Sequence, residues 1–474
     1  MNEKPRLSLS TKLAYGFGAV AFGVKNNGFD YFLLIFYSQV MGVDAPLVGL
    51  ALLIALLFDA FSDPVVGYLS DNTHSRWGRR HPWMYASALP VALCYFMLWA
   101  PPSSLTGNEL FPYILVLAIL IRVCITLFEV PSSALSAELT GDYDERTSLF
   151  SYRYFFGWVG GTLMATVALA VFLAPTETIP NGLLNKQGYA TYGVVASFII
   201  LISIIVTALG THRHIPNFKA PPPKAAMSLK RIFSEIYQTL ANRSFMALFL
   251  AALFGAVAAG LSAGLSFYMS GYFWEFSTDQ ISVISLSIII SAFAGLFMAP
   301  IISRRQGKKR GAILVGIIGF TVAPAPVILR LMGLMPENGS PMLFPIVLIA
   351  VVVEMAMVIT LSILTSSMMA DLVEDSEIRT ARRSEGVLFA AATFARKAVQ
   401  GFGVLAASAV LAAVQFPKGV APGQVPDESV FRLGLYYAPT LFAIWMLVLF
   451  CLRFYRIDRV THEENLQTLA AREE

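Results

Sequence analysis

Apolar residues dominate this chain in long unbroken stretches, set apart by short polar, proline-rich or basic segments. Twelve such stretches stand out, at roughly 13–40, 46–70, 82–101, 110–137, 148–173, 188–210, 244–273, 279–303, 311–333, 342–370, 384–415 and 431–455. Each approaches or exceeds the ~20 helical residues that cross a bilayer core, so twelve transmembrane helices (spans 1–12) are predicted. Alternation with period two is absent, which argues against a barrel. The opening "MNEKPRLSLSTKL" leads into a run too long for a signal-peptide core, so the first run is read as a span.

Composition agrees with lipid as the outer solvent. Of 474 residues, 56% are hydrophobic and 14% charged, against the quarter or so of charged residues in soluble domains. The net charge of +4 calls for no nucleic-acid partner. Charge placement predicts orientation. With both termini cytoplasmic, the loops assigned to the outside hold only Lys186 and Lys418, and nearly all other loop cations fall inside.

The longest loop, 211–243, carries "HIPNFKAPPPKAAMSLKRIF" and divides the spans six and six. The predicted organisation is an N-terminal six-helix bundle (1–210), a cytoplasmic linker (211–243), a C-terminal six-helix bundle (244–455) and a cytoplasmic tail (456–474). The basic turn "SRWGRRH" between spans 2 and 3 has a counterpart, "SRRQGKKRG", between spans 8 and 9. Gly78 and Gly307 permit tight turns there, and the cations are expected to sit at the headgroups. Weak similarity at equivalent points of two halves is the mark of parallel repeats, and it points to an all-α major facilitator fold.

Ionisable residues inside the spans need a reason to be there, because each costs at least ~2.5–3.5 kcal/mol at a helix centre. They are Lys25, Asp30, Asp59, Asp63, Arg122, Glu129, Arg153, Arg330, Glu354, Arg396 and Lys397. Asp59 and Asp63 stand one turn apart on one face, where two ionised carboxylates repel. A proton or a cation between them relieves the repulsion, and Ser62 and Thr126 offer neutral oxygens for a hard-cation site. A static network with Lys397 or Arg153 would use the same pair. Glu129, beside Pro131, lies at a depth similar to Asp63, roughly 10–15 Å from the cytoplasmic ends. It either faces the cavity or pairs with an arginine. Lys397 sits near mid-membrane, where it can neutralise the aspartates when the cation is absent. Arg396 points about 100° away and is assigned a structural contact. Arg153 either snorkels to the headgroups or enters the cavity. Lys25 and Asp30 share a face poorly, and which of them lines the cavity is open. Asn26 and Ser133 are further cavity candidates.

Soluble-enzyme chemistry has no foothold. There is no G-x-x-x-x-G-K-[ST], H-E-x-x-H or G-x-S-x-G. Cys94, Cys124 and Cys451 lie in apolar runs without metal or disulfide spacing, and the five histidines are placed in loops or the tail. No cofactor is expected beyond a co-transported ion.

Four segments carry a family resemblance: "KLAYGFGAVAFG", "DAFSDPVVGYLSDNTHSRWGRRHPW", "EVPSSALSAELTGDYDERTSLFSYR" and "MMADLVEDSEIRTARRSEGVLFA". They closely resemble the glycoside–pentoside–hexuronide:cation symporters. The resemblance implies a cation site at Asp59 and Asp63 with Thr126, a sugar-contacting Arg153, and a coupling lysine at Lys397. The family's helix-4 acidic residue is here Glu129. Four positions depart from its best-known member: a sugar-binding aspartate falls on Gly23, a stacking tryptophan on Ser133, an arginine on Leu56 and a cation-site asparagine on Ser62. Asp30, Asn26 or Asn27 could replace the lost polar contacts.

The expectation is a monomeric, multi-pass inner-membrane symporter, not an enzyme. Its partners would be membrane lipid, a monovalent cation (Na⁺ or H⁺) and a small solute, a glycoside, pentoside or hexuronide. Two alternatives are a carrier of a lysolipid-like amphipath and a non-transporting membrane sensor or scaffold.

Overall fold

The computed structural model describes residues 7–140, 143–177, 179–218, 243–380, 399 and 401–457. Among them, ten helices are long and apolar enough to cross a bilayer, and they coincide with spans 2–10 and 12. Span 1 is present as well, but segmented. It runs through Leu9–Phe17 and Ala19–Asn27, then through π-turns Gly28–Phe32 and Phe36–Val40 on either side of Leu33–Ile35. The wider turns interrupt the α pattern without ending the rod. Span 11 is described along Gly401–Ala413. Of the linker 211–243, residues 219–242 lie outside the described residues, and span 6 runs on to His212 while span 7 begins at Arg243; of the tail 456–474, residues 458–474 lie outside them.

Two halves repeat one packing scheme. Span 2 packs on span 4 and span 3 on span 6; likewise span 8 packs on span 10 and span 9 on span 12. The equivalence extends to close helix crossings that only small residues allow. A Cβ at Gly23 in span 1 would lie 2.1 Å from the Gly157 carbonyl oxygen of span 5. A Cβ at Gly403 in span 11 would lie 2.3 Å from the Val257 carbonyl oxygen of span 7. The ends of spans 1 and 7 also match. Met41 and Val43 donate their N–H groups to the carbonyls of Phe36 and Tyr37, as Trp274 and Phe276 do to Met269 and Ser270.

The basic turns match too, with Gly78 at φ +73° and Gly307 at φ +76°, where other residues are strained. Arg79 and Arg80 both bond the Glu138 carboxylate at the end of span 4, Arg79 at 2.7 Å. With the Glu138 side chain only 5% exposed, that ion pair locks the turn to the helix end. The histidines differ from the expectation of loops or tail. His81 and His212 stand at helix ends, where His81 meets the Thr211 hydroxyl at 2.9 Å and His212 meets the Tyr85 hydroxyl at 3.0 Å.

The loops after spans 1, 3 and 11 share a face, which charge placement assigns to the outside. There Asp44 bonds Asn108 and Lys418, and Lys418 also donates to the Gly42 carbonyl at 3.2 Å. The Gly419 N–H donates to Gln39 at 3.2 Å. Beneath this strap the halves meet through Ser38 and Tyr268, and through the rings of Phe32 and Phe267, 4.9 Å apart. Behind them Trp99 stacks on Tyr189 at 5.9 Å, and the hydroxyls of Tyr95 and Tyr192 bond at 2.9 Å. The outer ends of the two halves are therefore closed by buried aromatic surface, in which the Tyr189 and Tyr272 hydroxyls and the Trp99 indole N–H have no hydrogen-bond partner among the described residues.

Candidate functional site

The long contact between spans 2 and 4 brings Asp59 and Asp63 against Arg122 and Thr126. Each pair is four residues apart, so both present a single face to the other helix. The Thr126 hydroxyl lies 2.9 Å from an Asp59 oxygen and 3.1 Å from an Asp63 oxygen. A hydroxyl has one proton to donate, so it serves one carboxylate at a time. The other contact is oxygen against oxygen and becomes favourable only when a positive charge is shared there. The Arg122 guanidinium holds the second Asp59 oxygen at 3.3 Å, with both side chains about 95% buried. It also lies over the Phe29 ring of span 1 at 5.0 Å.

One turn further along span 4, the Arg153 guanidinium arrives from span 5. It donates to the hydroxyls of Ser133 at 2.7 Å and Ser132 at 3.1 Å, and to the Glu129 carbonyl at 3.4 Å. The rings of Phe22 and Tyr15 flank it at 4.9 and 5.8 Å. Arg153 is only 7% exposed, so of the two expectations for it, snorkelling is not what the structure has. Glu129 does not pair with it through its carboxylate. Its carbonyl accepts from Arg153, Ser132 and Ser133, while the part-exposed carboxylate makes no hydrogen bond or ion pair among the described residues.

Arg122, Thr126, Glu129 and Ser133 follow at spacings of four, three and four, which draws one stripe along span 4. Cation candidates and solute candidates are thus adjacent turns of one rod. Ser62 stands beside the pair with its hydroxyl proton committed to the Asp59 carbonyl at 3.0 Å, leaving its lone pairs outward. On span 1, Lys25 is buried and Asn26 exposed, and Asp30 lies in the electrostatic reach of Arg122 and Lys25. Lys397 and Arg396 lie outside the described residues. Arg330 is remote, caught between Asn338 and the rings of Phe273 and Trp274. Glu354 stands in the other half near Tyr437.

The site residue that sequence reasoning passed over is Arg122. It was one of eleven intramembrane ionisable residues, yet its spacing from Thr126 already put it on the cation-facing side. No group of three or more His, Cys, Asp or Glu that could hold a metal occurs among the described residues. The chemistry on offer is that of two carboxylates and hydroxyls, hard ligands for a proton or an alkali cation.

Residues 14–459 match the model of the family described as MFS/sugar transport protein. An uncharacterized symporter of Synechocystis is 35% identical over 231 residues, 48% of this chain and 40% of that protein, so the matched region spans less than half of the relative. The isoprimeverose transporter of Lactiplantibacillus pentosus is 23% identical over 97% of this chain and 91% of its own. The sodium-dependent lysophosphatidylcholine symporter 1-A of Danio rerio is 26% identical over 100% and 91%. Among solved structures, a peptide transporter crystallised with alafosfalin superposes with a TM-score of 0.64 at 14% identity, covering 96% of this chain and 98% of the other, which speaks to the fold alone.

Proposed function

The chain belongs to the MFS/sugar transport protein family, and from that footing we propose that it is a cation-coupled symporter of a sugar-type solute in the inner membrane. The observation that carries the proposal is the shared Thr126 hydroxyl between Asp59 and Asp63, one helical turn from Glu129 and Arg153. The ion, Na⁺ or H⁺, binds between the two carboxylates, where a positive charge relieves their repulsion. The solute binds on the neighbouring turn, where the Glu129 carboxylate accepts from its hydroxyl groups. Arg153 holds Ser132 and Ser133 in place and presents cationic N–H groups. Lys397 compensates the carboxylates in the empty carrier. Since both ligands bear on span 4, each alters the other's affinity by the same factor, and that linkage is what makes uptake coupled.

Transport then follows alternating access of two similar halves around a fixed site. The protein acts as a monomer in this reading, because one chain supplies both halves. A second reading keeps the mechanism and exchanges the cargo. The lysophosphatidylcholine symporter aligns along the whole chain, and Gly23 and Ser133 lack the carboxylate and aromatic plate expected of a sugar site, which favours an amphipathic solute.

The test is uptake into proteoliposomes across a panel of glycosides, pentoses, uronates and lysolipids, under Na⁺ and proton gradients in turn. Gradient-driven uptake of a sugar, abolished by Asp59→Asn and by Asp63→Asn, is the expected result. Uptake that persists in both variants refutes the cation site, and lysolipid uptake alone selects the second reading.

A further inference from the structure

Asp59 is already compensated inside the protein. One of its oxygens takes the Thr126 hydroxyl at 2.9 Å and the other takes Arg122 at 3.3 Å. The guanidinium contact is long for a charge-assisted bond, which is ordinarily ~2.7–2.9 Å. It is also single-pointed, so the planar fork of Arg122 is not fully used. Its Nε is buried and has no hydrogen-bond partner. A second resting place lies next to the first. The Phe29 ring is 5.0 Å from the guanidinium, and the neighbouring residue on span 1 is Asp30. Both belong to the π-turn Gly28–Phe32, and Asp30 lies within the electrostatic reach of Arg122.

We propose that Arg122 is a resident counter-cation that holds Asp59 while the ion site is empty and shifts toward Asp30 when the co-transported cation binds. The proposal rests on the symporter reading and adds a residue that this reading does not use. The shift also carries the ion's arrival to span 1, across the helix pair that encloses the proposed solute site. Arg122 thus sets ion affinity by competition. A guanidinium ~5 Å from a bound ion weakens its binding by roughly two- to threehundredfold at an effective dielectric constant near 20. Removing that competitor tightens binding, and removing its resting place loosens it.

The experiment is equilibrium binding of ²²Na⁺ to the purified full chain in detergent, without solute, for the wild type, Arg122→Gln, Asp30→Asn and the double variant. The half-saturating Na⁺ concentration is expected to fall at least tenfold in Arg122→Gln and to rise at least threefold in Asp30→Asn. In the double variant the loss caused by Asp30→Asn is expected to shrink, because with the arginine gone Asp30 acts on the ion only directly. A wild type whose Na⁺ binding is too weak to read becomes readable in Arg122→Gln. Unchanged or weaker binding in Arg122→Gln overturns the proposal. If that variant does not survive purification, unchanged Na⁺ affinity in Asp30→Asn overturns it instead. No uptake is measured, so a protein that carries no sugar can still bear out Arg122. A working sugar symporter whose Na⁺ affinity ignores Arg122 refutes it alone.

Discussion

Replacing Gly23 by alanine adds one methyl group at the tightest crossing between spans 1 and 5. That carbon would stand 2.1 Å from the Gly157 carbonyl oxygen and 3.2 Å from the Gly161 nitrogen. Both are backbone atoms of a helix, so no rotamer can yield, and the helices must part by about 1 Å to restore ordinary contact. Overpacking in a well-filled core costs ~1–3 kcal/mol, and a clash against backbone belongs at or above the upper end. We expect ~3 kcal/mol, a shift of roughly a hundredfold in the folded-to-unfolded ratio. Gly157→Ala is the internal control. Its methyl would meet the Phe22 ring edge at 3.2 Å and the Ala19 Cβ at 3.5 Å, and a ring tip can give way. The assay is the fraction of detergent-solubilised protein that stays monodisperse after heating, read as a midpoint. Gly23→Ala should melt well below the wild type and below Gly157→Ala. Equal midpoints for the two variants, or a wild-type midpoint for Gly23→Ala, would refute the crossing argument. Gly23→Asp, which installs the carboxylate found at this position in the resembling family, should do worse still and restore no binding.

Thr126→Val keeps the shape and removes the shared hydroxyl; a hydrogen bond to a charged group is worth ~1.5–3 kcal/mol, so half-saturating cation in uptake should rise at least tenfold, while Thr126→Ser stays near wild type. Arg153→Lys loses the forked grip on Ser132 and Ser133, and the solute concentration for half-maximal counterflow should rise about tenfold with the heat-midpoint little changed. The Asp44–Lys418 contact straps the outer ends together, so Asp44→Asn should speed alkylation of a cysteine placed at Ser38 by a membrane-impermeant maleimide; an unchanged rate would show the strap idle. Lys418 and Asn108 hold the Asp44 carboxyl below its ordinary 3.8. A depressed carboxylate stabilises above the unfolded value, so the strap is at full strength at neutral pH and is lost as pH falls through the lowered native value. Because the reactive thiolate becomes scarcer in both proteins on acidification, the wild-type rate is read as a ratio to that of Asp44→Asn at the same pH, and this ratio should climb toward one as the strap is lost.

Much of the architecture was legible because lipid imposes a simple rule on sequence. Apolar runs of the right length had to be spans, and the ten long apolar helices among the described residues fall where hydropathy placed them. The pairing of Asp59 with Asp63 was legible for a related reason, since spacing of four sets a helical face, and Thr126 beside them was implied by the family resemblance. What lay beyond reading was contact between faces. Nothing in the spacing of Arg79 and Arg80 shows that Glu138, nearly sixty residues on, waits at the end of span 4. Ser62 looks like a free oxygen until its proton is found on the Asp59 carbonyl. Gly23 is the sharpest case. Alignment presents it as a lost carboxylate, whereas the structure uses its bare backbone as a bearing against Gly157. Arg122 was equally visible as a charge and invisible as a partner, because a pair across two helices leaves no periodic trace.

The π-turns deserve a mechanical consequence. Each holds one residue more than the α-turn it replaces, a small store of slack wound into the rod at Gly28–Phe32, Phe36–Val40 and Met269–Phe273. Drawing that residue out would spin everything beyond it by about 100° while the remaining helix stays hydrogen-bonded. Ser38 would swing off Tyr268 and the aromatic seal would part, with no helix unwound. Spans 1 and 7 hold such slack at matching ends, so the outer door has a ratchet tooth on each leaf.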